Sequence, residues 1–151
     1  NKPEYIYIKN KELGTYSDDE KVVKVIAGKF KDVEGPERNH NVEPIYFHIV
    51  LKNEKEFSCD VPEGHNSFIY LLKGQIKVGN NKHDKTTDSN LILLKPGRNL
   101  QVKAEKESEF LFIAGKPIGE PIARGGPFVM NTKAEIIEAI NDYQNGTFAK
   151  Y

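Results

Sequence analysis

Along most of the chain the apolar residues fall in short runs with the two-residue period of strands, and the spacing turns helical only near the end. In Ile45-Tyr46-Phe47-His48-Ile49-Val50-Leu51 the strongly apolar side chains hold the odd positions, which predicts a strand with one buried face. Further β-type runs occur at 5–8 (Tyr-Ile-Tyr-Ile), 22–30, 68–72, 75–78, 91–94, 100–102 and 110–113. Many short strands separated by close turn signals predict an all-β sandwich or barrel. Gly79-Asn80-Asn81 and the polar stretch 82–90 predict a loop, because Gly and Asn tolerate the positive φ of tight reversals.

The helical spacing begins at Asn131 or Thr132 and places Ile136, Ile137 and Ile140 on one stripe, continued by Tyr143. Thr132-Lys133-Ala134-Glu135 has the spacing of a capping box, and Gly146 is a natural stop, so a helix is predicted over 132–144. Upstream, Pro36, Pro44, Pro62, Pro96, Pro117, Pro121 and Pro127 leave no room for another helix. A chain of 151 residues can bury roughly 68–70% of its unfolded surface in one core, so a single domain over 1–151 is expected.

Charge narrows the function classes. Lys plus Arg and Asp plus Glu both total 22, so no net field favours phosphate, and direct nucleic-acid binding is not expected. The apolar runs are strand-sized and no leader pattern opens the chain, which predicts a soluble protein without a membrane span. The single cysteine, Cys59, cannot form an internal disulfide and points to a reducing, cytoplasmic setting. The chain opens on Asn1 rather than Met, which raises the expectation of a piece of something longer.

Candidate chemistry is sparse. His40, His48, His65 and His83 share no HxH or HxxxH spacing. The best candidate neighbourhood for a metal is Asp60, Glu63 and His65 in Asp60-Val61-Pro62-Glu63-Gly64-His65, ahead of a strand and able to face a barrel mouth. The plainer expectation is that Pro62 and Gly64 shape a turn while Glu63 and His65 bond backbone groups or face solvent. His48, on the alternate face of an apolar strand, reads as structural, and Cys59 as a buried, inert thiol, since no nucleophile motif surrounds it or His65. Arg124-Gly125-Gly126-Pro127 has loop glycines but no phosphate-loop context. A ligand cavity lined by Phe47, Ile49, Phe68, Tyr70 and Phe112 competes with a simply filled interior, and the filled interior is expected.

Three segments carry a family resemblance. Residues 61–74, from Val61-Pro62-Glu63-Gly64-His65 to Leu71-Leu72-Lys73-Gly74, resemble the C-terminal cupin motif of pirins. Gly119-Glu120-Pro121-Ile122 through Gly126-Pro127-Phe128-Val129-Met130-Asn131-Thr132 resembles the segment that leaves that barrel and starts the last helix. Val25-Ile26-Ala27-Gly28-Lys29-Phe30 with Gly35-Pro36 is similar to the domain's start. The resemblance implies a cupin-type double-stranded β-helix, a jelly-roll barrel, with one C-terminal α-helix.

Pirins as a family carry iron on three histidines and a glutamate in an N-terminal cupin, and this chain resembles only the second half. Aligning Gly74 with the glycine that closes the first cupin motif puts Ser67 at the ligand-glutamate position and Asp60 and Pro62 near the paired histidines. After Pro96-Gly97 come Arg98, Asn99, Leu100 and Gln101, with no histidine. The resemblance therefore implies no catalytic residue and no cofactor in this chain, with iron in the N-terminal half of an intact pirin. The implied role is a non-catalytic structural and interaction half, whose partner is the N-terminal cupin or another protein, met near Tyr5 or through the last helix. The alternatives are part of an iron-dependent quercetin 2,3-dioxygenase-like enzyme and part of a redox-responsive transcriptional co-regulator.

Overall fold

The computed structural model describes residues 5–36, 41–79, 85–87 and 89–148. The chain divides into two compact units, Asn1–Pro117 and Ile118–Tyr151.

The first unit holds two sheets built on antiparallel pairs. The larger contains β1 (Gly14–Ser17), β2 (Lys21–Ala27), β5 (Ile45–Leu51), β7 (Asn66–Lys73), β10 (Asn90–Leu93) and β12 (Ser108–Gly115), in the order β1-β2-β5-β12-β7-β10. The smaller contains β6 (Glu56–Asp60), β8 (Gln75–Val78), β9 (Lys85–Thr87) and β11 (Asn99–Ala104), in the order β6-β11-β8-β9. A two-stranded ribbon of β3 (Lys29–Phe30) and β4 (Val33–Glu34) accompanies them.

Strict alternation drives this arrangement. In β5 the odd residues are buried and the even ones half-buried, and β12 repeats the pattern. The inward residues of both sheets form one core: Phe57 of the small sheet meets Phe110 of the large one edge-on at 6.0 Å, and Phe30 stacks on Phe57 at 5.4 Å. Phe47, Ile49 and Phe112 are fully buried in that core. Phe68 and Tyr70 alternate with buried Ile69 and Leu71 and so belong to the opposite face of β7, with Tyr70 exposed. The residues Phe47, Ile49, Phe68, Tyr70 and Phe112, all read as inward-facing, are thus split between a filled core and an outer face.

Several sequence expectations shift. Residues 5–8 form no strand, and Tyr5, Ile6 and Tyr7 are exposed. The run 22–30 is cut at Gly28, whose φ of +80° ends β2 before β3 begins. Part of the expected loop, Lys85–Thr87, pairs with β8. Strands β1 and β6 carry too little apolar character to stand out: in Glu-Phe-Ser-Cys-Asp only Phe57 is a buried core side chain.

The second unit is a hairpin, β13 (Ala123–Gly125) and β14 (Phe128–Met130), followed by α1 (Lys133–Gln144). Thr132 caps the helix by accepting the Glu135 N–H at 3.2 Å, and Glu135 accepts the Thr132 N–H at 2.7 Å, so the capping box forms. Gly146, at φ +66°, follows the C-cap Asn145. The buried stripe is Ile136 and Ala139, whereas Ile137 and Tyr143 are exposed. Ile136 lies so close over Gly125 that a Cβ there would fall within 2.4 Å of its Cγ2, and Phe128 packs against Tyr143 and Phe148. Among the described residues no helix is long and apolar enough to cross a membrane.

Candidate functional site

The segment between β6 and β7 is a tight turn built by its own residues. Gly64 takes φ +83°, and the His65 N–H reaches back to the Pro62 carbonyl at 3.2 Å. Val61 is buried, and its N–H bonds the Arg98 carbonyl at 2.9 Å, fixing this turn beside the one that precedes β11.

Each candidate metal donor here has a separate occupation. Asp60 stands opposite Asn99 in the β6–β11 register, with its carboxylate 3.5 Å from the Asn99 amide nitrogen. Glu63 is ion-paired with Arg98, both side chains being exposed. His65 is buried, with Nε2 donating to the Glu43 carbonyl at 3.1 Å and Nδ1 buried without a hydrogen-bond partner among the described residues. Among the described residues no three His, Cys, Asp or Glu side chains converge as a metal would need.

Ser67, two residues further on, shares the inward face of β7 with buried Ile69 and Leu71. It lines a cleft of about 340 Å³ between the two sheets, together with Val61, Val78, Ile92, Leu94 and Leu100. Lys95, Asn99, Gln101 and Thr86 also border this space. Sequence reading missed the cleft because its walls come from five separate strands. The usable signal was the odd-position parity that turns Ser67 inward.

Residues 46–149 match the family Pirin C-terminal cupin domain. The chain belongs to the pirin family. Pirin of Homo sapiens is 34% identical over 146 residues, which cover 95% of this chain and 50% of that protein. A pirin-like protein of Solanum lycopersicum is 39% identical over 104 residues, covering 68% of this chain and 36% of the relative. A crystal structure of a quercetin 2,3-dioxygenase from Acinetobacter baumannii superposes with a TM-score of 0.85 at 33% identity, over 97% of this chain and 51% of that one. This pirin-family chain thus spans about half the length of the curated relatives it matches, and its sheets are those of a cupin-type jelly roll.

The residues of this pirin domain do not fit the iron set that the resemblance attaches to the family. At the positions that the resemblance aligns with iron ligands, Ser67 offers a hydroxyl instead of a carboxylate and Pro62 no side-chain donor, and among the described residues no second donor joins the Nδ1 of His65. The other reactive groups are equally committed. His48 Nε2 lies 2.6 Å from a Glu109 carboxylate oxygen across the β5–β12 pair, a half-buried contact on the sheet face. Burial, then the neighbouring Asp60 charge, pushes the Cys59 thiol up to about 12, which leaves it protonated and unreactive. Arg124 lies in the β13–β14 hairpin, and the glycines after it serve helix packing and a turn at φ +57°. His40 and His83 lie outside the described residues.

Proposed function

We propose that this domain is the metal-free, non-catalytic half of a two-cupin pirin protein, contributing stability and a binding surface for the N-terminal cupin. The observation that carries the reading is the dispersal of Asp60, Glu63 and His65 onto three separate partners, Asn99, Arg98 and the Glu43 carbonyl. A surface suited to a partner accompanies it. On the outer face of the large sheet, Leu91 pairs in register with Tyr70 and Leu93 with Phe68, and Leu91, Leu93, Tyr70 and Leu72 are all exposed. Exposed Tyr5 and Tyr7 add apolar area near the start of the chain.

The test is metal analysis of this chain beside the longest encoded protein, combined with mixing of the two halves. Stoichiometric iron confined to the longer protein, with association of the halves, supports the reading. Iron bound at one per chain by residues 1–151, or halves that stay apart at micromolar concentration, overturns it. A second reading is favoured by the likeness to the Acinetobacter baumannii quercetin 2,3-dioxygenase: the intact protein oxidises quercetin, with this domain bordering the reaction site. Oxygen uptake with quercetin by the iron-loaded intact protein tests it, and no turnover at any iron loading removes it.

A further inference from the structure

We propose that the cleft between the two sheets binds a small organic monocarboxylate, its aliphatic body inside and its carboxylate against Lys95. This inference does not rest on the two-half reading, because every residue it uses belongs to this chain.

The inner lining is aliphatic by register. Val78 stands opposite buried Val102 and Ile92 opposite buried Ile69, so both turn inward, where Val61, Leu94 and Leu100 join them. At about 340 Å³ the space sits at the lower end of the ~300–1,000 Å³ typical of small-molecule pockets. It therefore suits a single short alkyl chain and is too small for a lipid of two chains.

Charge selects the other end of the ligand. Of the two cations here, Arg98 is tied to Glu63, whereas Lys95 has no ion pair among the described residues and borders the cleft. Asn99 donates its amide nitrogen toward the Cys59 carbonyl at 3.3 Å and the Asp60 carboxylate at 3.5 Å, so Asp60 is turned toward an existing donor. Ser67 completes the logic from inside. A carboxylate at that position would repel an anion, while the neutral hydroxyl leaves the interior without charge.

The experiment is calorimetric titration of the full-length protein with octanoate, and separately with octanol, using wild type, Lys95→Glu and Ser67→Leu. The expected result is saturable one-to-one octanoate binding. Lys95→Glu should weaken it roughly tenfold or more while leaving octanol unaffected, and Ser67→Leu, which fills the cleft, should abolish both. Lys95 is exposed, so Lys95→Glu carries the test alone if Ser67→Leu fails to fold. No saturable binding up to about 1 mM, or octanoate binding that Lys95→Glu leaves unchanged, overturns the proposal.

Discussion

Replacing Gly74 by alanine should be among the most damaging single-methyl changes in the domain. Gly74 joins β7 to β8 at φ +100°, a backbone shape that costs an L-residue about 1–2 kcal/mol. A Cβ there would lie 2.4 Å from Ser108 Oγ, 2.5 Å from the Glu107 carbonyl oxygen and 2.7 Å from Ser108 Cα. Two of those atoms are backbone and cannot swing aside, so relief needs movement of the β12 entry, an overpacking cost of about 1–3 kcal/mol. Ser108 is itself buried; its Oγ accepts the Gln75 N–H at 3.0 Å and lies 2.7 Å from the Lys106 carbonyl, and disturbing these bonds adds about 1 kcal/mol. The sum is about 3–6 kcal/mol, a large share of the ~5–15 kcal/mol that holds a domain together. Urea unfolding followed by circular dichroism measures it against Gly79→Ala, where φ is +66° but none of the described residues has an atom within 4 Å of the added Cβ. Gly79→Ala should cost only the backbone term, about 1–2 kcal/mol. Ser108→Ala should not rescue Gly74→Ala, since the clash with Glu107 remains. Equal midpoints for the two glycine variants would refute the reasoning.

Iodoacetamide should label Cys59 at pH 8 only on unfolding, as mass spectrometry would show. Because its folded value, about 12, exceeds the ordinary 9.0, its contribution to stability is complete below pH 9 and is lost as pH rises toward 12; Cys59→Ser should remove that alkaline component. Asp18 behaves in the opposite sense. The Glu20 N–H, then the Tyr16 hydroxyl, hold its carboxyl down at about 2, so its contribution is present above pH 3.8 and lost as pH falls toward 2. Carboxyl NMR titration would show this directly, and an Asp18 midpoint near 3.8 would contradict the bonds described. Thr132→Ala should destabilise α1 by about 1 kcal/mol, read as faster amide exchange in its first turn. Glu63→Gln, at an exposed pair, should change stability by under about 1 kcal/mol and leave the metal content of the intact protein unchanged.

The strands with clean alternation were legible because period and burial coincide: β5 reads inward and outward from its letters alone. The helix and its cap were legible because Thr132 and Glu135 interact locally, over three residues. The missed strands are those that long-range pairing creates. Lys85–Thr87 becomes a strand because β8 offers it an edge, and Tyr5-Ile6-Tyr7-Ile8, with strong β character, finds no partner strand. Ile136 was legible as an inward residue of the helix, but Ala139 takes the second buried place while Ile137 and Tyr143 stay exposed, which the stripe of large apolar residues alone does not encode. At the site, sequence found the turn at Asp60–His65 but not its surroundings. That Glu63 would meet Arg98, 35 residues away, and that Ser67 would share a cleft with Ile92 and Leu100, depends on how the two sheets stack.

The central position of β12 governs when the fold can form. It is hydrogen-bonded to β5 on one side and β7 on the other, and its Glu109 meets His48 across 61 residues. As the chain leaves the ribosome, β5 can pair early with β2, but its other edge and that of β7 stay open until Gly115 has emerged. Such non-local closure belongs to the slow, millisecond-to-second regime of folding. A nascent chain stalled before that residue would present two apolar strand edges to chaperones and to its neighbours.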